Sequence, residues 1–193
     1  MTKRLDGCRV AILVTDGFEQ VEMTGPRKAL EDAGARADVI APGKQEVQGM
    51  DHDEKGNKYP VDLQLSSASP SDYDALLLPG GVANPDKLRM IPEAVQFVKA
   101  FAAAGKPIAA ICHGPWMLVE ADLVRGRKVT SWPSLQTDIR NAGGAWEDSE
   151  VVSDRGIVTS RKPSDIPAFN RKAIEVFAAS IDGTETQGLS STA

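Results

Sequence analysis

The stretch KPIAAICHGPWMLVEA, Lys106 to Ala121, decides the fold of this chain. Ile108 to Ile111 is a short apolar run of the kind that forms a strand buried on both faces. Cys112, His113 and Gly114 end it, and from Pro115 to Ala121 the pattern turns helical. A cysteine at such a corner sits where the first helix amides point outward unpaired and the macrodipole end is positive. Both effects favour the thiolate, the form that attacks electrophiles. The spacing therefore suggests a nucleophile built into the fold. The plainer alternative is a structural cysteine, since free Cys is among the most buried residue types.

The same strand-then-helix alternation recurs on both sides of this corner. Arg9 to Thr15 predicts a buried strand, DGFE a loop, and Val21 to Gly34 a helix closed by Gly34. Ala37 to Ala41 is a second strand, and Tyr73 to Leu78 a third, stopped by Pro79-Gly80-Gly81. Ile91 to Ala104 reads as a helix with Gly105 as its cap. Lys128 to Ser131 and Pro133 to Asn141 repeat strand then helix. Val151-Val152 and Ile157 to Ser160 flank a tight Asp154-Arg155-Gly156 turn, and Asp165 to Ala179 is the last helix, capped by Ser164 or Asp165.

Lys44 to Ser71 is less regular. It has strand signals at Val47 to Met50 and Val61 to Leu65 around a polar turn, Asp51 to Asn57, and reads as a hairpin-like excursion rather than a second domain. One α/β domain over 1–181 is expected, followed by a small, polar tail over 182–193 whose composition suits disorder. The order of elements implies an open, mostly parallel sheet with helices on both faces. Such sheets place their sites beyond the carboxyl ends of the strands. Four loops are expected there: Asp16–Glu19, Pro79–Pro85, Cys112–Pro115 and Ser131–Pro133.

With 193 residues, the chain is long enough for one good core. Its net charge of −5, with no basic block, argues against nucleic acid as a partner. The apolar run near the N-terminus is too short for a signal h-region or a membrane span, so a cytoplasmic, membrane-free protein is expected. Two cysteines, Cys8 and Cys112, offer neither a disulfide framework nor metal-ligand spacing, and the two histidines, His52 and His113, make a histidine-rich metal site unlikely. No metal and no cofactor is expected.

If the Cys112 thiol fell from a pKa of about 8.5 to about 5.5, its ionised form would gain on the order of 4 kcal/mol. A helix end supplies about 0.5–2 kcal/mol, so a second donor is needed. Glu19, in the loop after the first strand, is the candidate: protonated, it can donate to the sulfur. The plainer alternative makes Glu19 or Glu22 a first-turn carboxylate that complements the helix dipole, and for Glu22 this is the preferred assignment. Gly80 and Gly81 follow a strand directly and can turn their amides into an oxyanion hole, or simply end the strand. His113 is the obvious general base, although neighbours at a corner usually point apart. Asp86 is a candidate partner for it, from the next loop or a neighbouring subunit, and otherwise a cap of a short helix. Arg161 and Pro163 follow a strand and are placed at the border of the same cleft. Trp116, Trp132 and Trp146 are assigned to core or pocket wall.

Taken together, AILVTDGFEQVE (Ala11–Glu22), DALLLPGG (Asp74–Gly81), GKPIAAICHGPWML (Gly105–Leu118), LVRGRKVTSWPS (Leu123–Ser134), NAGGAWED (Asn141–Asp148) and TSRKPSDIPAF (Thr159–Phe169) resemble the PfpI/ThiJ superfamily, near its intracellular protease I branch. The resemblance implies a flavodoxin-like three-layer sandwich of the class I glutamine amidotransferase type. It puts Cys112 on a strained nucleophile elbow, with Glu19 hydrogen-bonded to its sulfur. It also implies a homodimer or, in the protease I branch, a hexamer, in which a Cys112-His113-acid triad takes its acid from another subunit. Asp86 matches that position, with a shorter reach than the Glu of the protease I archetype.

The expected function is a cofactor-free, stress-response cysteine enzyme, a hydrolase or lyase of the deglycase or glyoxalase type. Its partners would be reactive carbonyl compounds or damaged, glycated proteins. In it Cys112 attacks the aldehyde, Glu19 and His113 move protons, and the Gly81 and His113 amides hold the oxyanion. The alternatives are an oligomeric intracellular cysteine peptidase using Cys112, His113 and Asp86, and a non-enzymatic oxidative-stress sensor or chaperone.

Overall fold

The computed structural model describes residues 4–183. The chain begins with β1 (Arg9–Leu13), β2 (Phe18–Glu19), α1 (Gln20–Asp32) and β3 (Arg36–Ala41). A run of short strands follows: β4 (Glu46–Asp51), β5 (Glu54–Pro60) and β6 (Leu63–Gln64). Then come β7 (Ala75–Leu78), α2 (Ala83–Leu88), α3 (Pro92–Ala103), β8 (Ile108–Ile111) and α4 (Pro115–Glu120). The last part holds β9 (Lys128–Val129), α5 (Gln136–Asn141), β10 (Ala145–Trp146), β11 (Val151–Asp154), β12 (Ile157–Ser160) and α6 (Ile166–Ile181).

Seven strands form the central sheet in the order β11-β12-β8-β7-β1-β3-β6, parallel except for the edge strand β11. The inner strands carry apolar residues at successive positions because both faces are covered. Side chains alternate between those faces along each strand. Val10 and Ile12, Val39, Leu77, Ala109 and Ile111 pack on one side with Met23 and Leu30 of α1 and with Phe169, Val176 and Phe177 of α6. Ala11, Leu13, Leu76, Leu78, Ile108 and Ala110 pack on the other with Phe97, Val98 and Phe101 of α3, Met117 and Leu118 of α4, and Ile139 of α5. The molecule is thus the α/β flavodoxin-like sandwich expected from the alternation.

Three expectations need correction. The polar segment Asp51 to Asn57 is not a turn between two paired strands. Glu54–Pro60 is itself a strand, and it pairs antiparallel with β4 around a tip at His52-Asp53. Five of the seven residues of β5 are exposed, so it lacks the apolar signal of a buried strand. Leu63–Gln64 instead joins the main sheet beside β3, and the hairpin pairs through β4 with β2. The second correction concerns Lys128 to Ser131, which is not a strand of the main sheet. Only Lys128–Val129 is extended, and it pairs with β10 in a separate two-stranded sheet. Asp165 does precede α6, but its carboxylate binds Arg161 instead of capping the helix. Of the tail expected over 182–193, residues 184–193 lie outside the described residues.

Because β3 and β7 lie on opposite sides of β1, the connections leave β1 in opposite directions and a crevice opens at the carboxyl end of the sheet. The loops after β1, β7, β8 and β12 all leave the sheet at this end.

Candidate active site

Cys112 is the first residue beyond β8. Its backbone adopts φ 63°, the left-handed region that L residues avoid. Tertiary hydrogen bonds impose it: the Cys112 N–H donates to the Ser160 carbonyl at 3.0 Å, and the Cys112 carbonyl accepts from the Trp132 N–H at 2.8 Å. Gly114 makes the tight turn back into α4 possible, since a Cβ there would collide with the carbonyl oxygens of Leu78 and Ile111. α4 is only Pro115–Glu120, so its dipole is a small contributor at the sulfur. The amides of Gly81 and His113 are what favour the thiolate here.

The carboxyl beside the sulfur belongs to Glu22, not to Glu19 as the sequence suggested. Glu22 lies on the first turn of α1 and is fully buried. Its charge and that of the Cys112 thiol act on each other, and its Oε2 accepts the Gly80 N–H at 3.0 Å, while its Oε1 is buried without a hydrogen-bond partner. Glu19 has turned the other way. Its backbone is fixed in β2 against Met50 of β4, and its Oε2 accepts the His52 N–H at 3.0 Å. The signal for Glu22 lay in the helix pattern. Met23, Pro26 and Leu30 mark the buried stripe of α1, and Glu22 falls on that stripe, where a mere dipole partner has no reason to be.

Burial, followed by the nearby charge of Glu19, raises the Glu22 carboxyl from 4.5 to about 8, against the pull of Cys112 and the Gly80 and Gly81 amides. Glu22 is therefore largely protonated at neutral pH. Burial and then the Glu22 negative charge push the Cys112 thiol up, and the Gly81 and His113 amides pull it down. The sulfur and the carboxyl cannot both carry charge cheaply, so at most one of them is ionised at a time. When the proton resides on Glu22, the like-charge repulsion vanishes and the carboxyl becomes a donor to the thiolate.

His113 is both neighbour and partner of the nucleophile, with Nδ1 3.3 Å from Sγ. Its ring is stacked on Trp132, with centroids 5.9 Å apart, and meets Trp116 edge-on at 5.2 Å. Burial among them lowers its pKa from 6.5 to about 4, so it is a neutral imidazole able to accept a proton. The Gly80 amide is committed to Glu22 and is not an oxyanion donor, which corrects the expectation for that residue. Gly81, with φ 76°, keeps its amide at the sulfur, and a side chain there would run into the Gly17 carbonyl.

These residues line a cavity of about 440 Å³ whose walls include Glu19, Glu22, Gly81, Cys112 and His113. Val82, Trp132, Pro163, His52 and Asp53 complete the lining. Pro163 is where the sequence put it. Arg161 is not on this wall: its guanidinium bridges Asp165 and Asp148 and ties α6 to the segment before β11. Asp86 is exposed on α2, and the protomer forms no hydrogen bond between it and His113 among the described residues. Trp132 arrives from the loop after β9, held by Cys112 and not by a strand of the main sheet.

His52 and Asp53 were hidden in what looked like a polar turn. The available signal was that both histidines of the chain end up at one cavity, and that His52 holds φ 55° at the hairpin tip. Cys8, the other thiol, is 2% exposed and pushed up to about 12 by burial and the charge of Asp74, which leaves it inert. Among the described residues no three His, Cys, Asp or Glu side chains are grouped so as to hold a metal ion. No helix among them is long and apolar enough to cross a membrane.

Comparison with known proteins gives this architecture its context. A sequence profile described as the DJ-1/PfpI family matches residues 8–176. The chain is 43% identical over 170 residues to "Putative cysteine protease YraA" of Bacillus subtilis (strain 168), covering 88% of this chain and 98% of the relative. It is 41% identical over 172 residues to "Protein/nucleic acid deglycase 2" of Escherichia coli (strain K12), covering 89% and 98% respectively. Among solved structures, a two-domain protein with DJ-1/ThiJ/PfpI-like and ferritin-like domains from Anabaena variabilis superposes with a TM-score of 0.82 at 33% identity. That match covers 87% of this chain and 47% of the other, so the chain spans about half of that two-domain protein. Drosophila melanogaster DJ-1beta superposes with a TM-score of 0.80 at 24% identity, covering 92% and 95% of the two chains.

Proposed function

The chain belongs to the DJ-1/PfpI family, and from that premise we propose that it is a cofactor-free cysteine enzyme acting on reactive carbonyl compounds or their adducts in stress defence. The observation that carries this is the Cys112–Glu22 pair. A buried sulfur beside a carboxyl held largely protonated at neutral pH is suited to a small electrophile that accepts both the sulfur and the carboxyl's proton.

With methylglyoxal the sequence balances without an added oxidant or reductant. The Cys112 sulfur bonds to the aldehyde carbon, and the carbonyl oxygen takes the proton from Glu22, giving a hemithioacetal. The Gly81 and His113 amides stabilise the oxygen while it carries charge. Neutral His113 removes the hydrogen from the former aldehyde carbon as a proton and returns it to the neighbouring carbon, while the hydroxyl proton passes from the first oxygen to the second, leaving a lactoyl thioester. Water then releases lactate; of its two protons one returns to Glu22 and one goes to solvent, which restores the thiolate and the carboxyl. The relative named a deglycase fits this chemistry, because an adduct on nitrogen presents a comparable carbon to the sulfur.

The relative named a cysteine protease keeps a second reading open. A peptidase would need a carboxylate to orient His113. Asp86 stands exposed on α2, close behind the cavity residue Val82, where a neighbouring subunit could use it. The two readings separate in one experiment. Lactate is assayed after incubation with methylglyoxal, with casein hydrolysis in parallel, for wild type and Cys112→Ala. Lactate from the wild type alone supports the carbonyl enzyme; casein cleavage without lactate supports the peptidase and rejects it.

A further inference from the structure

The cavity has an edge that the chemistry at Cys112 does not use. Glu19 is 7% exposed and forms part of the wall. Its Oε2 is occupied by the His52 N–H, and its Oε1 is buried without a hydrogen-bond partner. An unpaired buried carboxyl oxygen is costly unless a donor arrives to meet it. Beside it stands Asp53, an exposed acid at the tip of the β4–β5 hairpin. No lysine or arginine lines the cavity among the described residues. The cavity is also lined by the indole of Trp132, 38% exposed, an aromatic surface of the kind that attracts cations.

Acidic walls without a compensating cation, around a partly closed cleft, raise the local concentration of positive ligands and repel negative ones. We infer that Glu19 and Asp53 form a cation-recognition subsite in the cavity that also holds Cys112. It selects substrates whose reacting carbon stands beside an ammonium or guanidinium nitrogen, and it disfavours carboxylates and phosphates. The substrate assignment rests on the carbonyl reading given above; the charge preference does not. The tip of the hairpin is part of the device. Glu19 holds the strained His52 N–H, and so keeps the next residue, Asp53, on the rim.

Two methanethiosulfonate reagents of opposite charge test this without any enzymatic turnover. One carries a trimethylammonium-ethyl group and the other a sulfonatoethyl group. In each case the Cys112 sulfur forms a disulfide with the transferred thioalkyl group, the thiol proton goes to solvent, and methanesulfinate leaves with the bonding electron pair. Rates are read by intact mass and divided by those of a small free thiol, with Cys112→Ala to confirm the site.

The cationic reagent is expected to lead by about tenfold in the wild type, as two nearby acids in a partly desolvated site require. Glu19→Gln keeps an acceptor for His52 while removing the charge, and should shrink that ratio by about threefold or more. Asp53→Asn, at an exposed tip where folding is not at risk, should shrink it less. A normalised ratio near one, or a ratio untouched by both substitutions, overturns the subsite even if lactate is formed. A preserved charge preference in a protein that forms no lactate supports the subsite and removes only the carbonyl assignment.

Discussion

Cys112 carries two burdens that an ordinary core cysteine does not. Its left-handed backbone angle costs an L residue about 1–2 kcal/mol, and its sulfur is pressed against a buried carboxyl. Both are tolerated because the neighbouring strands and the Trp132 loop hold the corner in place. If Glu22 serves as a donor, replacing its O–H by an amide should preserve much of the sulfur's reactivity, and removing the donor should not. Alkylation by iodoacetamide at pH 7 is therefore expected to slow by less than about fivefold in Glu22→Gln and by more than about tenfold in Glu22→Leu. Equal rates in the two variants would detach Glu22 from the nucleophile. Asp86 is decided at the same scale. Asp86→Asn should leave lactate formation within about threefold of wild type if the carbonyl reading holds, whereas a peptidase dependent on an oriented imidazole should lose on the order of 10³ or more in casein hydrolysis.

At the level of elements, the inner strands of the main sheet were legible because they are short and apolar on both faces; β8 and its following corner are the clearest case. β5 was illegible because a two-stranded excursion leaves most of its side chains in water, so Glu54–Pro60 has the composition of a loop. α1 was placed within a residue or two, yet the acid that matters on it was misassigned. Glu19 and Glu22 are three residues apart, and only the direction of the helix's buried face separates them. His113 and Cys112 were legible as a pair, while the two tryptophans that enclose the imidazole were assigned to core or pocket wall with nothing to tie them to His113. The β8–α4 corner itself makes a sharp prediction. Gly114→Ala would drive a methyl group into two carbonyl oxygens, so it should lower unfolding free energy by about 2 kcal/mol or more in urea titration and reduce Cys112 reactivity with it. A wild-type midpoint would mean that the corner is looser than its geometry indicates.

Across the whole molecule, the site leaves its mark on stability as a function of pH. Glu22 is raised from 4.5 to about 8 in the folded state, so the native protein binds the extra proton between those values. Its contribution is full below pH 4.5 and is lost as pH rises through about 8. His113 works in the opposite sense. Lowered from 6.5 to about 4, it contributes fully above pH 6.5 and loses that contribution as pH falls through 4. Urea midpoints should therefore decline more from pH 6.5 to 8 in the wild type than in Glu22→Gln, where the alkaline term is gone. Parallel declines in both proteins would show that Glu22 is not carrying a proton in the folded state.

In the proposed reaction the same proton sets the rate's dependence on pH, and following it is the most direct test of the account. The measurement is the initial rate of lactate formation from methylglyoxal across pH 6 to 10, as about half-unit steps, for wild type, Glu22→Gln and Cys112→Ala. The account predicts no lactate from Cys112→Ala, a wild-type rate that falls as pH rises through about 8, and no such fall in Glu22→Gln. Lactate formed without Cys112, or a wild-type profile that continues to climb beyond pH 8, would contradict it.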